Sequence, residues 1–163
     1  MNLFKNLIYA SFIILLISSC RNDLVSLTSN DLMTLTAMKP NAAVYDSILN
    51  VHNFNLVVRD TSTRDDGSFF MNSAYVNSQT GSRVTIYNES NKENVNWLTE
   101  GIEFRTSIRS HNEELMENFE SAGFKKVDKY TFKYKDFEVQ NIPVDDGTSF
   151  LYTLNISKDV KSK

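Results

Sequence analysis

The chain has 163 residues, with 17 Lys and Arg against 20 Asp and Glu and a formal net charge of −3. That length supports one domain, or two very small ones, with an ordinary core, and the acidic balance argues against a general nucleic-acid binder, whose affinity comes from neutralising phosphates. One cysteine, two histidines and five glycines argue against a disulfide framework, a Cys/His zinc centre and a glycine-rich phosphate loop.

The first element is a leader. Lys5 supplies a positive start, and residues 7–17 form an apolar run of signal-peptide length. The run is too short to span a bilayer, which takes roughly twenty apolar residues. Cys20, the sole cysteine, follows Ile17-Ser18-Ser19. This Ile-Ser-Ser-Cys segment resembles the lipobox of bacterial lipoproteins. The resemblance implies cleavage before Cys20, a diacylglyceryl thioether on its sulfur and an acylated amino terminus. Residues 1–19 are then a signal peptide and residues 20–26 a lipidated tether. Several acyl chains anchor far more firmly than one, and a tether reaching ~20 Å at ~3.3 Å per residue keeps the domain close to the headgroups. Arg21 stands where an aspartate would mark inner-membrane retention, so the outer membrane is favoured. The short tether and the Asn- and Ser-rich composition resemble small lipoproteins of Bacteroidota-type bacteria. In these an acidic cluster after the cysteine accompanies surface export. Only Asp23 is present here, so periplasmic and surface-facing orientations both stand.

With the thiol consumed by lipid, residues 27–157 must hold together by packing and hydrogen bonds alone. Thr28, Ser29, Asn30 and Asp31 offer N-caps ahead of Leu32 and Leu35, predicting a helix in preference to a strand. Pro40 suits the first turn of a second helix, with Val44, Ile48, Leu49 and Val51 as its apolar stripe. Strands are predicted over residues 55–59, 69–76 and 83–87, separated by Asp65-Asp66-Gly67 and Thr80-Gly81-Ser82 turns. Residues 88–96 read as a loop. The alternation over residues 102–108 predicts a half-buried strand. Ser110 and Glu113 form a capping-box pattern for a third helix. Its buried stripe is Leu115, Phe119 and Ala122, and Gly123 follows as its C-terminal cap. Tyr130, Phe132 and Tyr134 alternate with Lys129, Thr131 and Lys133, residues 137–142 continue extended up to Pro143, and Phe150, Tyr152, Leu154 and Ile156 mark the last strand. Residues 158–163 form a charged tail.

A shift of seventy residues lays Phe54-Asn55-Leu56-Val57 on Phe124-Lys125-Lys126-Val127, and Tyr45 and Leu49 on Leu115 and Phe119. The expected fold is therefore α+β: one antiparallel sheet with helices on one face, built from two tandem helix-plus-three-strand units over residues 27–96 and 97–157. The Leu-Thr-x-x-Asp-Leu opening and Ser-Ala-Gly-Phe-Lys-Lys-Val also resemble a diffuse group of uncharacterised small secreted proteins and lipoproteins of the same bacterial lineage. That resemblance implies a fold and no activity.

Chemistry is sparse. His52 and His111 have no second imidazole within a helical turn and read as surface or capping residues. Neither Asp65-Asp66-Gly67 nor Asp145-Asp146-Gly147 has the alternating ligand spacing of a calcium loop. The acids at 113, 114, 117 and 120 read as a solvated helix face, and no Gly-x-Ser-x-Gly elbow occurs. The concentrated surface feature is lysine: Lys129, Lys133 and Lys135 are expected to project together opposite the aromatic face, toward an acidic protein, lipopolysaccharide or anionic lipid. With no catalytic constellation, metal or cofactor expected, the leading reading is a membrane-anchored, non-enzymatic recognition module, of inhibitor or immunity type by fold analogy. It would bind a protein or envelope polymer and not nucleic acid. Two alternatives are an envelope assembly or stress factor and a hydrolase with a nonstandard site.

Overall fold

The computed structural model describes residues 26–38, 41–63, 65, 67–90, 97–145 and 150–158. The leader, the lipobox with Cys20, the tether before Ser26 and the tail beyond Lys158 lie outside the described residues, as do Pro40 and most of the expected 88–96 loop. No helix among the described residues is long and apolar enough to cross a membrane.

Helix α1 (Ser29–Ala37) starts with a reciprocal capping box: the Thr28 hydroxyl accepts the Asp31 N–H (3.2 Å) while the Asp31 carboxylate accepts the Thr28 N–H (3.0 Å). Its Leu32 and Leu35 are fully buried. Helix α2 (Ala42–Val51) is capped by Asn41, whose side chain accepts the N–H groups of Ala43 and Val44. The first turn of the helix begins at Ala42. The apolar stripe also differs from expectation. Tyr45 and Leu49, one helical turn apart, are buried, whereas Val51 is 67 % exposed. The Tyr45 hydroxyl reaches across to donate to Asn88 at 3.0 Å, which fixes this face inward.

Strands β1 (Phe54–Thr63), β2 (Phe69–Asn77), β3 (Arg83–Ser90) and β4 (Trp97–Thr106) form an antiparallel meander. Helix α3 (Arg109–Ser121) follows, then β5 (Lys125–Lys126), β6 (Thr131–Tyr134), β7 (Phe137–Asp145) and β8 (Phe150–Lys158). All eight strands join one antiparallel sheet in the order β1-β2-β3-β4-β8-β7-β6-β5. The fold is α+β, as expected. The strand count per helix is not: four strands, not three, follow each of α2 and α3. β3 runs into the expected loop because Asn88, Glu89 and Ser90 pair with Thr99, Leu98 and Trp97. β7 runs through Pro143, where β6 no longer pairs and, among the described residues, β8 alone is its neighbour. A residue without an N–H is tolerated on such an edge.

The capping box expected at Ser110 does not form. Ile108 is the N-cap, the Thr106 hydroxyl accepts its N–H (3.1 Å), and Ser110 lies inside the first turn. At the other end the expectation holds. Gly123 (φ 99°) lets the Phe124 N–H return to the Phe119 carbonyl at 3.1 Å and its own N–H to Glu120 at 3.0 Å, a Schellman motif. The Phe119 and Phe124 rings then meet edge to face, 5.1 Å between centroids. The buried stripe is Asn112, Leu115, Met116 and Phe119, while Ala122 is exposed.

The three helices among the described residues pack into one core cluster with sheet residues of a single parity, including Val84, Ile86, Ile102, Phe104, Leu154 and Ile156. The residues of opposite parity, such as Arg83, Tyr87, Arg105, Gln140 and Ser157, therefore face away from the helices.

Candidate functional site

Two surfaces have the makings of a site, one on each face of the sheet. The first is a groove of about 490 Å³ where α3 lies over the helix-facing side of β5 to β8. Glu113, Glu117 and Glu120, spaced at helical turns, give it an acidic wall. Strand β5 and the turn after it give a basic one, through Lys126 and Lys129. That turn is closed by Asp128, whose carboxylate accepts the N–H groups of Tyr130 (2.8 Å) and Thr131 (2.9 Å). These hydrogen bonds hold the Asp128 carboxyl below the usual range, with help from Lys126. Met116, Phe132, Pro143 and Tyr152 add apolar surface.

Charge in this groove is not internally matched. Glu113 is taken by Arg109 at 2.7 Å, but among the described residues no ion pair links Glu117 or Glu120 to either lysine. The lysines lie over rings instead: Lys129 Nζ is 4.8 Å from the Tyr130 centroid and Lys126 Nζ 5.7 Å from that of Phe132. Asn112, only 4 % exposed, and Asn141 also line the groove, and the Oδ1 atom of each is buried without a hydrogen-bond partner.

The second surface is the sheet face turned away from the helices. Arg83 on β3 stands directly opposite Arg105 on β4, and like charges in that relation are unfavourable. Glu103 offsets one of them by accepting from Arg105 at 2.7 Å. Burial, then the Glu103 charge, raises the Tyr87 phenol above its usual range. Farther along, Lys133 meets its cross-strand partner Glu138 at 2.9 Å. Hydrogen bonds from Lys133 and Gln140 hold the Glu138 carboxyl low.

The structure separates the lysines that the sequence grouped. Lys133 and Lys135 line a common cavity of about 420 Å³ with Asp136, Phe137 and Lys158. Lys129 lies in the helix-side groove instead. Lys135 is in the β6–β7 turn with φ 52°, its Nζ 4.9 Å from the Tyr134 ring. His111 is half-buried on α3. His52, the α2 C-cap, is not a surface residue: it is 7 % exposed with Nε2 at 3.2 Å from Asp31. The groove amides were missed because their neighbours come from remote strands. The available signal was Asn112, a polar residue on the apolar stripe of an amphipathic helix.

No family model matches this chain, and neither a curated protein nor a solved structure matches it.

Proposed function

We propose that this chain is a lipid-anchored, non-enzymatic recognition module of the bacterial cell envelope, attached through Cys20 to the outer membrane. Its partner is an acidic protein or an anionic envelope polymer, received on the helix-free sheet face. One observation carries the reading: across that face Arg83 and Arg105 are held in direct opposition, and the Glu103 carboxylate is taken by Arg105. An anionic partner relieves the repulsion on binding. Lys133 and Lys135 extend the positive character toward β6. Ile17-Ser18-Ser19-Cys20 supports the anchor, and the tandem character of the domain belongs to the same proposal. In each half a helix carries two buried residues one turn apart, Tyr45 and Leu49 or Leu115 and Phe119, then a buried phenylalanine, then four meandering strands.

In-cell cross-linking and capture tests this with the native chain, Cys20→Ala and the double variant Arg83→Glu, Arg105→Glu. A dominant partner lost in both variants is the expected result. The same partner recovered equally by all three chains refutes the assignment of the face and of the anchor. Mass spectrometry of the mature chain should show acylated Cys20 as its first residue.

A further inference from the structure

The groove beneath α3 lies on the other side of the sheet and does not depend on the partner proposed above. Burying an acceptor without a donor is costly, and two residues that line this groove, Asn112 and Asn141, each carry such a buried Oδ1. The side chain of Asn112 projects from the buried stripe of α3, between the exposed acids and the core, where an apolar residue would pack without that cost. Its neighbours carry opposite charges on different elements, acids on the helix and lysines on β5 and the following turn, with no ion pair joining them among the described residues. The volume of about 490 Å³ lies in the range of small-molecule sites.

We propose that this groove binds a short zwitterionic peptide. Its ammonium donates to the two asparagine oxygens and lies beside Glu117 and Glu120. Its carboxylate is received by Lys126 and Lys129, and an apolar side chain rests against Met116 and Phe132. A donor-rich cation satisfies both buried acceptors, and the separation of the acidic and basic walls selects a ligand that carries its two charges at opposite ends. A neutral sugar would meet the amides but use neither charged wall.

Isothermal titration calorimetry of the full-length protein in detergent tests this with the dipeptide Ala-Leu, N-acetyl-Ala-Leu and Ala-Leu amide. Ala-Leu should bind saturably, and removing either terminal charge should weaken binding by about tenfold or more, ~1.4 kcal/mol. Asn112→Leu should abolish binding while melting at or above the wild-type temperature, since it removes an unpaired buried acceptor at similar volume. Glu117→Gln and Lys129→Gln, both on exposed residues, should each weaken Ala-Leu while leaving the melting temperature unchanged. The proposal is overturned if Ala-Leu gives no saturable heat, if both capped dipeptides bind as well as the free one, or if maltose binds in its place.

Discussion

Asp46 Oδ1 is where α2 and two strands converge. It accepts from Arg59 Nη2 at 2.9 Å and from the Tyr75 hydroxyl at 2.8 Å, while Arg59 also donates to Tyr75 at 2.7 Å and through Nε to Ser73 at 3.1 Å. Asp46→Ala leaves a guanidinium and a phenol without their acceptor, so it should cost more than Tyr75→Phe. We expect about 1–2 kcal/mol against about 1 kcal/mol or less by urea denaturation, both reduced by the partial exposure of the carboxylate. Burial, then the hydrogen bond to Asp46, raises the Tyr75 phenol well above its usual range, and Tyr87 is raised as well. The native chain therefore keeps protons that the unfolded chain releases. Stability is intact below the ordinary phenol pKa of about 10 and falls as pH rises beyond it. Absorbance at 295 nm should show late-titrating tyrosines in the native chain, and Tyr75→Phe should flatten the alkaline loss of stability. None of this was legible in the sequence, where Asp46, Arg59 and Tyr75 share no local pattern.

At the scale of the element, legibility followed the range of the interaction. Thr28 and Asp31 lie three residues apart and cap α1 as their order suggests. Ser110 and Glu113 have the same order and do nothing of the kind, because the Thr106 side chain turns the end of β4 directly into a helix whose N-cap, Ile108, lies two residues earlier. The two sites therefore respond differently to alanine. Thr28→Ala should cost about 1 kcal/mol, whereas Ser110→Ala should be neutral or stabilising by a few tenths, both read from thermal unfolding. Gly123→Ala combines a φ of 99° with a Cβ only 3.2 Å from the Tyr134 ring, so it should destabilise by more than ~1 kcal/mol. Its turn was readable because a glycine after an amphipathic helix is a local signal. The strand through Pro143 was not readable, since its tolerance depends on β6 ending short.

Across the whole molecule, the antiparallel α+β class was legible from alternating strands and intervening turns, but the closure of the sheet was not. β4 and β8, far apart in sequence, pair at its centre, setting Ile102 against Ile156 and Phe104 against Leu154. Because one buried cluster runs from Tyr45 and Leu49 to Phe119 and Ile156, the halves should unfold together. Leu154→Ala should cost about 2–5 kcal/mol, and fluorescence and circular dichroism in urea should give coincident single transitions. The candidate groove needs this same long-range assembly, since its residues come from α3, β5, β6, β7, β8 and the β5–β6 turn. Composition and spacing identified its lysines and acids but not their meeting.

The two ends of the sheet differ in a way that limits what the molecule can build with itself. β5 is two residues long, both lysines, whereas β1 is ten residues long and presents Leu56, Val57 and Val58 substantially exposed around a bulge. Of these two ends, β1 presents a ten-residue row of backbone groups to another strand and the lysine pair does not. Two copies meeting along β1 would each turn a short lysine end outward, so the same pairing is not repeated at the other margin of the sheet.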